Sequence, residues 1–129
     1  MIMKKEIIYT AKAPEAIGPY SQGVKYNGFV YTSGQIPFDV EKGALVTTGI
    51  KDEVHQVMKN VKSILEAAGT TTDNIVKTTI FLKDLNDFND VNEVYASYFT
   101  DTNFPARECV EVARLPRDVN VEISVIAIA

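Results

Sequence analysis

The sequence predicts an α+β fold: one mixed β-sheet with two helices packed on one of its faces, in a single domain spanning residues 1–129. Three observations carry that prediction. Two stretches place apolar residues three and four apart, the spacing of a helix with one buried side. Several short β-prone runs surround them, two of which are joined by Asn27-Gly28. The final run is apolar on both sides toward its end, as a central strand would be.

Taken in order, residues 7–10 form a short β-prone run, and Ala13-Pro14 with Ile17-Gly18-Pro19-Tyr20 mark a loop. Residues 23–26 and 29–33 read as a hairpin, because Asn-Gly tolerates the positive φ that a two-residue turn demands. Residues 34–49 read as a long loop. A helix follows over 50–68, with Val54, Val57, Met58, Val61, Ile64, Leu65 and Ala68 on one stripe. Asp52 and Glu53 in its first turn suit the helix dipole, and Gly69 is a natural stop. Residues 74–83 form a strand with Val76, Thr78, Ile80 and Leu82 on one face. A second helix covers 87–99 and carries Phe88, Val91, Tyr95, Tyr98 and Phe99, with Asn86 or Asp87 as its cap. Residues 106–113 and 119–128 are strands, and an antiparallel hairpin across Pro116-Arg117 is the simplest connection.

Two helices cannot cover both faces of such a sheet. The doubly apolar last strand therefore predicts association of copies through the open face, with a more even spread of the helices over both faces as the alternative.

Composition narrows the functional classes. Hydrophobic residues at 46% and charged residues at 23% are ordinary for a globular domain. The lone cysteine, Cys109, excludes an intramolecular disulfide and a cysteine-rich metal site. Thirteen basic against seventeen acidic residues give a net charge of −4, unsuited to a phosphate-backbone binder. No apolar run reaches the roughly 18 residues of a membrane span, and the opening Met1-Ile2-Met3-Lys4-Lys5-Glu6 lacks the apolar stretch of a signal sequence. A cytoplasmic location is the expectation.

Few residues offer chemistry. The sequence contains neither a glycine-rich phosphate loop nor a nucleophile elbow. His55, the one histidine, reads as a solvated or partly packed helix residue. Cys109 sits near Glu108 and Glu111, which do not favour a thiolate, and reads as a small buried hydrophobe. Arg107 follows Phe104-Pro105-Ala106 at the start of a strand, where a guanidinium can clamp a carboxylate; a surface arginine paired with Glu108 or Glu111 is the plain alternative. Glu122 interrupts Val121, Ile123, Val125 and Ile126, and apolar walls raise a carboxyl's pKa toward proton exchange at neutral pH; pointing to solvent is its alternative. With the hairpin turned at Pro116-Arg117, Arg107 and Glu122 share a face about 13 Å apart, and a slip of one residue separates them.

The motifs Ile17-Gly18-Pro19-Tyr20-Ser21-Gln22-Gly23, Thr32-Ser33-Gly34-Gln35-Ile36-Pro37 and Phe104-Pro105-Ala106-Arg107 occur in that order. With Lys83-Asp84-Leu85-Asn86-Asp87-Phe88, Cys109-Val110-Glu111-Val112-Ala113-Arg114-Leu115-Pro116 and Val121-Glu122-Ile123, they make the whole chain resemble the reactive intermediate deaminase family (RidA, also called YjgF). The resemblance implies a chorismate-mutase-like fold, a homotrimer with sites between subunits, and no cofactor or metal. The implied activity is hydrolysis of enamines and imines such as 2-aminoacrylate, 2-iminopropanoate and 2-iminobutanoate to 2-oxo acids and ammonia. By position, Arg107 would hold the substrate carboxylate and Glu122 would activate water. Tyr20, Ser33 and Gly34 would line the pocket, with Asn92 and the Cys109 backbone as further contacts. Glu108 departs from the small or apolar residue usual after the arginine, which bears on substrate preference. Strand alternation points it away from Arg107. Other expectations for such a chain are a small-carboxylate-binding or chaperone-like module without catalysis, and a ribonuclease or translation inhibitor, the last opposed by the acidic balance.

Overall fold

A computed structural model describes residues 4–129. Residues 1–3, at the start of the opening segment read above, lie outside the described residues. Eight strands and two α-helices follow one another: β1 (Glu6–Ile8), β2 (Gly23–Tyr26), β3 (Phe29–Thr32), β4 (Phe38–Asp39), β5 (Ala44–Leu45), α1 (Ile50–Ala67), β6 (Ile75–Leu82), α2 (Phe88–Ala96), β7 (Ala106–Glu111) and β8 (Val121–Ile128). Among the described residues, six strands form one mixed sheet in the order β1-β2-β3-β8-β6-β7, and β4 and β5 pair separately. None of the described helices is long and apolar enough to cross a membrane.

The β2–β3 hairpin turns as its sequence requires. Tyr26 faces Phe29, leaving Asn27 (φ 49°) and Gly28 (φ 83°) as a two-residue turn with both residues left-handed. The predicted long loop contains the small β4–β5 hairpin. Val46 N donates to Pro37 O and Gly43 N to Asp39 O, both at 2.8 Å, and Gly43 takes a φ of 65°. Two residues per strand are too short for an alternation to register in sequence.

The α1 stripe is buried as its periodicity predicts: Val54, Val57, Met58, Val61, Ile64 and Leu65 are fully enclosed. Glu53, in the first turn, is also buried, and both its carboxylate oxygens accept from Asn120 Nδ2 at 3.0 Å. The second helix is shorter than predicted and stops at Ala96. Ser97 to Phe99 continue as turns that still bury Phe99. Neither Asn86 nor Asp87 caps it through its side chain. Asp84 does the capping one turn earlier, its Oδ1 accepting from Asn86 N at 2.9 Å.

The strand pairing corrects two expectations. Strands β7 and β8 do not form a hairpin. Strand β7 pairs parallel with β6, and β8 pairs antiparallel with both β6 and β3. The β6–α2–β7 segment is therefore a parallel crossover through a helix. Inserting β8 between β3 and β6 satisfies both of its hydrogen-bonding edges, which a hairpin at the sheet margin would not. On β6, a register irregularity between Ile75 and Lys77 turns Ile75 inward and leaves Val76 38% exposed, against the predicted alternation.

Both helices lie on one face. Val121, Ile123, Val125 and Ala127 of β8 join Ile80, Leu82 and Val30 beneath the helix stripes in one core. The opposite face carries Tyr26, Phe29, Tyr31, Val110 and Ile128, each 38–49% exposed. A single chain thus leaves an apolar sheet face open. Ile123 has no exposed surface and sits at the centre of the core. Ile123→Ala is expected to lower the unfolding free energy by about 2–5 kcal/mol, read as a shifted urea midpoint at fixed protein concentration.

Candidate functional site

Glu122 stands on the open face of β8, opposite Phe81 of β6. Beyond β8 the chain that leaves β3 returns alongside it: Gln35 N donates to Ile123 O at 2.8 Å, and Ile123 N donates to Gln35 O at 3.0 Å. This bridge presses Gly34 against the Glu122 carboxyl. A Cβ at position 34 would lie 2.6 Å from Glu122 Cδ, so any other residue there would have to push the carboxyl from its place. The carboxyl is half-buried, and the loss of water raises its pKa above the ordinary glutamate range.

Glu122 opens into a cavity of about 840 Å³ whose walls include Tyr20, Ser33, Gly34 and Arg117. Ser33 Oγ donates to Ser21 O at 2.5 Å, and the Tyr20 hydroxyl accepts from Ile17 N at 3.2 Å. The loop wall is tied down by Gln22, which is 3% exposed. Its amide donates to the carbonyls of Thr10, Ala13 and Pro14 at 2.8–3.2 Å and accepts from Thr10 N at 2.8 Å. Gln22 lies within the Ile17–Gly23 motif, and its role becomes visible only in the fold. The available signal was a polar residue wedged between a loop and a strand, where a buried amide must find several partners.

Arg107 lies elsewhere. It pairs with Thr78, which is itself opposite Val125 on the core side of the sheet, whereas Glu122 pairs with Phe81. Thr78 and Phe81 are three residues apart, so Arg107 and Glu122 project from opposite faces. The predicted convergence of the two within one chain is therefore overturned. The parallel placement of β7 beyond β6 replaces the hairpin on which that convergence depended.

Around Arg107 the structure gathers the remaining expected residues. Its guanidinium lies 5.0 Å from the Tyr95 ring centroid and 5.5 Å from that of Phe88. The Tyr95 hydroxyl donates to Thr78 Oγ1 at 2.8 Å, which fixes the ring. Asn92 falls between Phe88 and Tyr95 on the same helical face. Cys109 shares the strand face of Arg107, and burial pushes its thiol pKa up, against the smaller opposing effect of the arginine. No described carboxylate lies within 4.0 Å of Arg107. Glu108 points the other way, as alternation predicts, and pairs with Lys77 at 2.8 Å. Ring stacking holds the guanidinium plane and leaves its edge donors free for an anion.

The expected site residues thus form two groups. Tyr20, Ser33, Gly34 and Glu122 line one cavity, and Asn92, Arg107 and Cys109 cluster at the β7 edge. His55 remains an exposed helix residue whose Nδ1 lies 3.1 Å from the Tyr98 hydroxyl. Among the described residues, no group of three or more His, Cys, Asp or Glu is placed to hold a metal ion.

A carboxyl whose pKa is raised in the folded state binds its proton more tightly there than in the unfolded chain. Stability therefore falls as pH rises from the ordinary glutamate range through the raised value. Glu122→Gln is expected to be more stable than the parent protein at neutral pH and to lose that advantage below about pH 4. Urea unfolding at both pH values checks this, and a pH-independent difference would contradict the desolvation of Glu122. Gly34→Ala is expected to displace the carboxyl toward water and return its pKa toward the ordinary value, measured by carboxyl-carbon NMR titration.

Comparison with known proteins places this geometry in a lineage. The profile of the Endoribonuclease L-PSP family matches residues 10–129. A protein of Salmonella typhimurium named 2-iminobutanoate/2-iminopropanoate deaminase is 55% identical over 123 residues, covering 94% of this chain and 95% of the relative. A Rid family protein of unknown function from Yersinia pestis superposes with a TM-score of 0.95 at 51% identity, covering 98% of this chain and all of the other. E. coli TdcF, solved with bound serine, superposes with a TM-score of 0.90 at 45% identity, over 96% of this chain and 98% of the other. The chain belongs to the Endoribonuclease L-PSP family, which includes the RidA, YjgF and RutC proteins.

Proposed function

We propose that the protein hydrolyses small 2-imino acids and their enamine tautomers, such as 2-iminopropanoate and 2-iminobutanoate, to 2-oxo acids and ammonia. The observation that carries this reading is Glu122, a half-buried carboxyl with a raised pKa, packed on Gly34 in a cavity that includes Ser33 and Tyr20. Deaminase relatives and a relative with bound serine are consistent with a small amino-acid-like ligand.

The reaction suits so sparse a site. An imine carbon is already electrophilic, so the main needs are orientation and proton transfer. An enamine first takes a proton at carbon to become the imine. Glu122 then accepts a proton from water as the water oxygen adds to the imine carbon, C2, and passes it to the nitrogen to give a carbinolamine. Transfer of the hydroxyl proton to the same nitrogen through Glu122 collapses that adduct to the 2-oxo acid and expels ammonia. A free guanidinium grips the substrate carboxylate through paired hydrogen bonds. In this proposal that guanidinium is Arg107 of a second copy, because Arg107 and Glu122 of one chain face away from each other. The open apolar sheet face supports an assembly, and the resemblance points to a homotrimer with a site in each cleft. Asn92 and the Cys109 backbone would accompany Arg107 on that side.

The family description names an endoribonuclease, but a net charge of −4 and a cavity glutamate give a polyanion little to hold.

The test generates 2-aminoacrylate with a serine dehydratase and follows release of pyruvate. The protein is expected to accelerate release. Arg107→Ala should abolish the acceleration, and Glu122→Gln should reduce it by about 10²–10⁴-fold. The acidic limb of the rate profile should lie above the ordinary glutamate range. Full activity in Arg107→Ala, or saturable binding of a small carboxylate with no rate effect, refutes the assignment. Co-expressing the two inactive variants tests the shared site. Random assembly in a closed ring leaves about a quarter of the sites with both residues intact, so about a quarter of the activity should return. No recovery would place both groups in one chain's site.

A further inference from the structure

Arg117 occupies a conformation that its residue type disfavours. The single turn Pro116–Asp118 connects the segment after β7 to β8, and Arg117 sits there at φ 56°, ψ 22°, followed by Asp118 at φ 57°. Aspartate visits this left-handed region readily, whereas a long side chain does so uncommonly. Glycine would make the same turn without the steric cost. Leu115 and Val119, each 5% exposed, anchor the turn on both sides and hold the strained backbone in place. What the position gains from arginine must therefore lie in the side chain.

That side chain is aimed at the cavity of Glu122. The guanidinium carbon lies 5.3 Å from the centroid of the Phe38 ring, and both residues line the cavity. Phe38 is itself fixed: its carbonyl accepts from Nδ2 of the buried Asn60 at 3.0 Å. The nearest acid in sequence, Asp118, is taken by Arg114 at 2.8 Å, and no described carboxylate lies within 4.0 Å of Arg117. The other acid of the cavity wall, Glu15, accepts a hydrogen bond from the Tyr9 hydroxyl. A cation held over a ring, with its edge donors unspent, is arranged to receive an anion.

We infer that Arg117 binds the distal carboxylate of a dicarboxylic 2-imino or 2-oxo acid whose reacting end lies at Glu122. The inference rests on the deaminase reading for what happens at that reacting end, but not for the binding itself. The cavity, at about 840 Å³, is near the upper end of the roughly 300–1,000 Å³ of small-molecule sites, and a three-carbon acid would leave most of it empty. A four- or five-carbon diacid uses the space between the carboxyl on β8 and the cation on the turn.

Binding to the intact protein is measured by calorimetry, with 2-oxoglutarate as the diacid and 2-oxobutanoate as the monoacid, at one ionic strength. The diacid is expected to bind at least about tenfold tighter, the effect of one additional charge-assisted contact. Arg117→Gln should bring the two affinities within about threefold, and Arg117→Lys should retain part of the preference. Arg117→Gly relieves the turn, so it should melt no lower than the parent while losing the preference, which separates recognition from misfolding. Equal affinities in the parent protein, or a preference that survives Arg117→Gln, overturn the inference. In parallel, imines made from glutamate and alanine by an amino-acid oxidase report turnover. If neither imine is hydrolysed faster than in buffer while the diacid preference persists, the deaminase reading fails and the assignment of Arg117 stands.

Discussion

The position of β8 between β3 and β6 decides the arrangement of everything else. Both edges of this strand are hydrogen-bonded and one of its faces is fully enclosed by the helices. Its inward residues Val121, Ile123, Val125 and Ala127 supply the centre of the core. Its outward residues begin with Glu122, which is thereby fixed on a rigid central strand and not on a loop. A carboxyl placed so has little freedom to swing toward water, and the burial that shifts its pKa persists.

The same insertion displaces β7 to the sheet margin, where it pairs parallel with β6 after the α2 crossover. Arg107 is then carried to the helix side and held between the rings of Phe88 and Tyr95. The Glu122 carboxyl and the Arg107 guanidinium are thus separated by the thickness of the sheet. Within one chain the two groups cannot face a common ligand, and the site proposed above unites them only where surfaces from different copies meet. The exposed Tyr31, Val110 and Ile128 give the open face an apolar surface suited to such contact. The core and the placement of both candidate site groups therefore draw on one feature of topology.

Close approach sets the electrostatics within the cavity. Gly34 permits backbone to lie directly against the Glu122 carboxyl, and the Gln35–Ile123 bridge maintains that contact. Gln22 performs a comparable task for the opposite wall by satisfying four backbone groups of the loop at residues 10–14. The cavity is consequently shaped by backbone and by buried amides, and neither Glu122 nor Arg117 is paired with a described charged side chain.

Local periodicity was sufficient to read α1, the Asn27-Gly28 hairpin and the inward side of most of β6, because each depends on residues within a few positions of one another. The motifs around Gly34, Arg107 and Glu122 also marked the candidate site residues, and the alternation of β7 correctly turned Glu108 away from Arg107. Strand partnership was not legible. The segments 106–111 and 121–128 are neighbours in sequence, yet β6 lies between them, a choice made by burial of β8 and by the α2 crossover and not by any turn signal. The β4–β5 hairpin escaped because two-residue strands leave no alternation to detect. The face on which Arg107 emerges, its aromatic clamp, and the left-handed Arg117 set over Phe38 all depend on contacts between distant segments. Residue chemistry is a property of the chain, but the direction in which a side chain points is set by register, and register is settled only when the sheet is assembled.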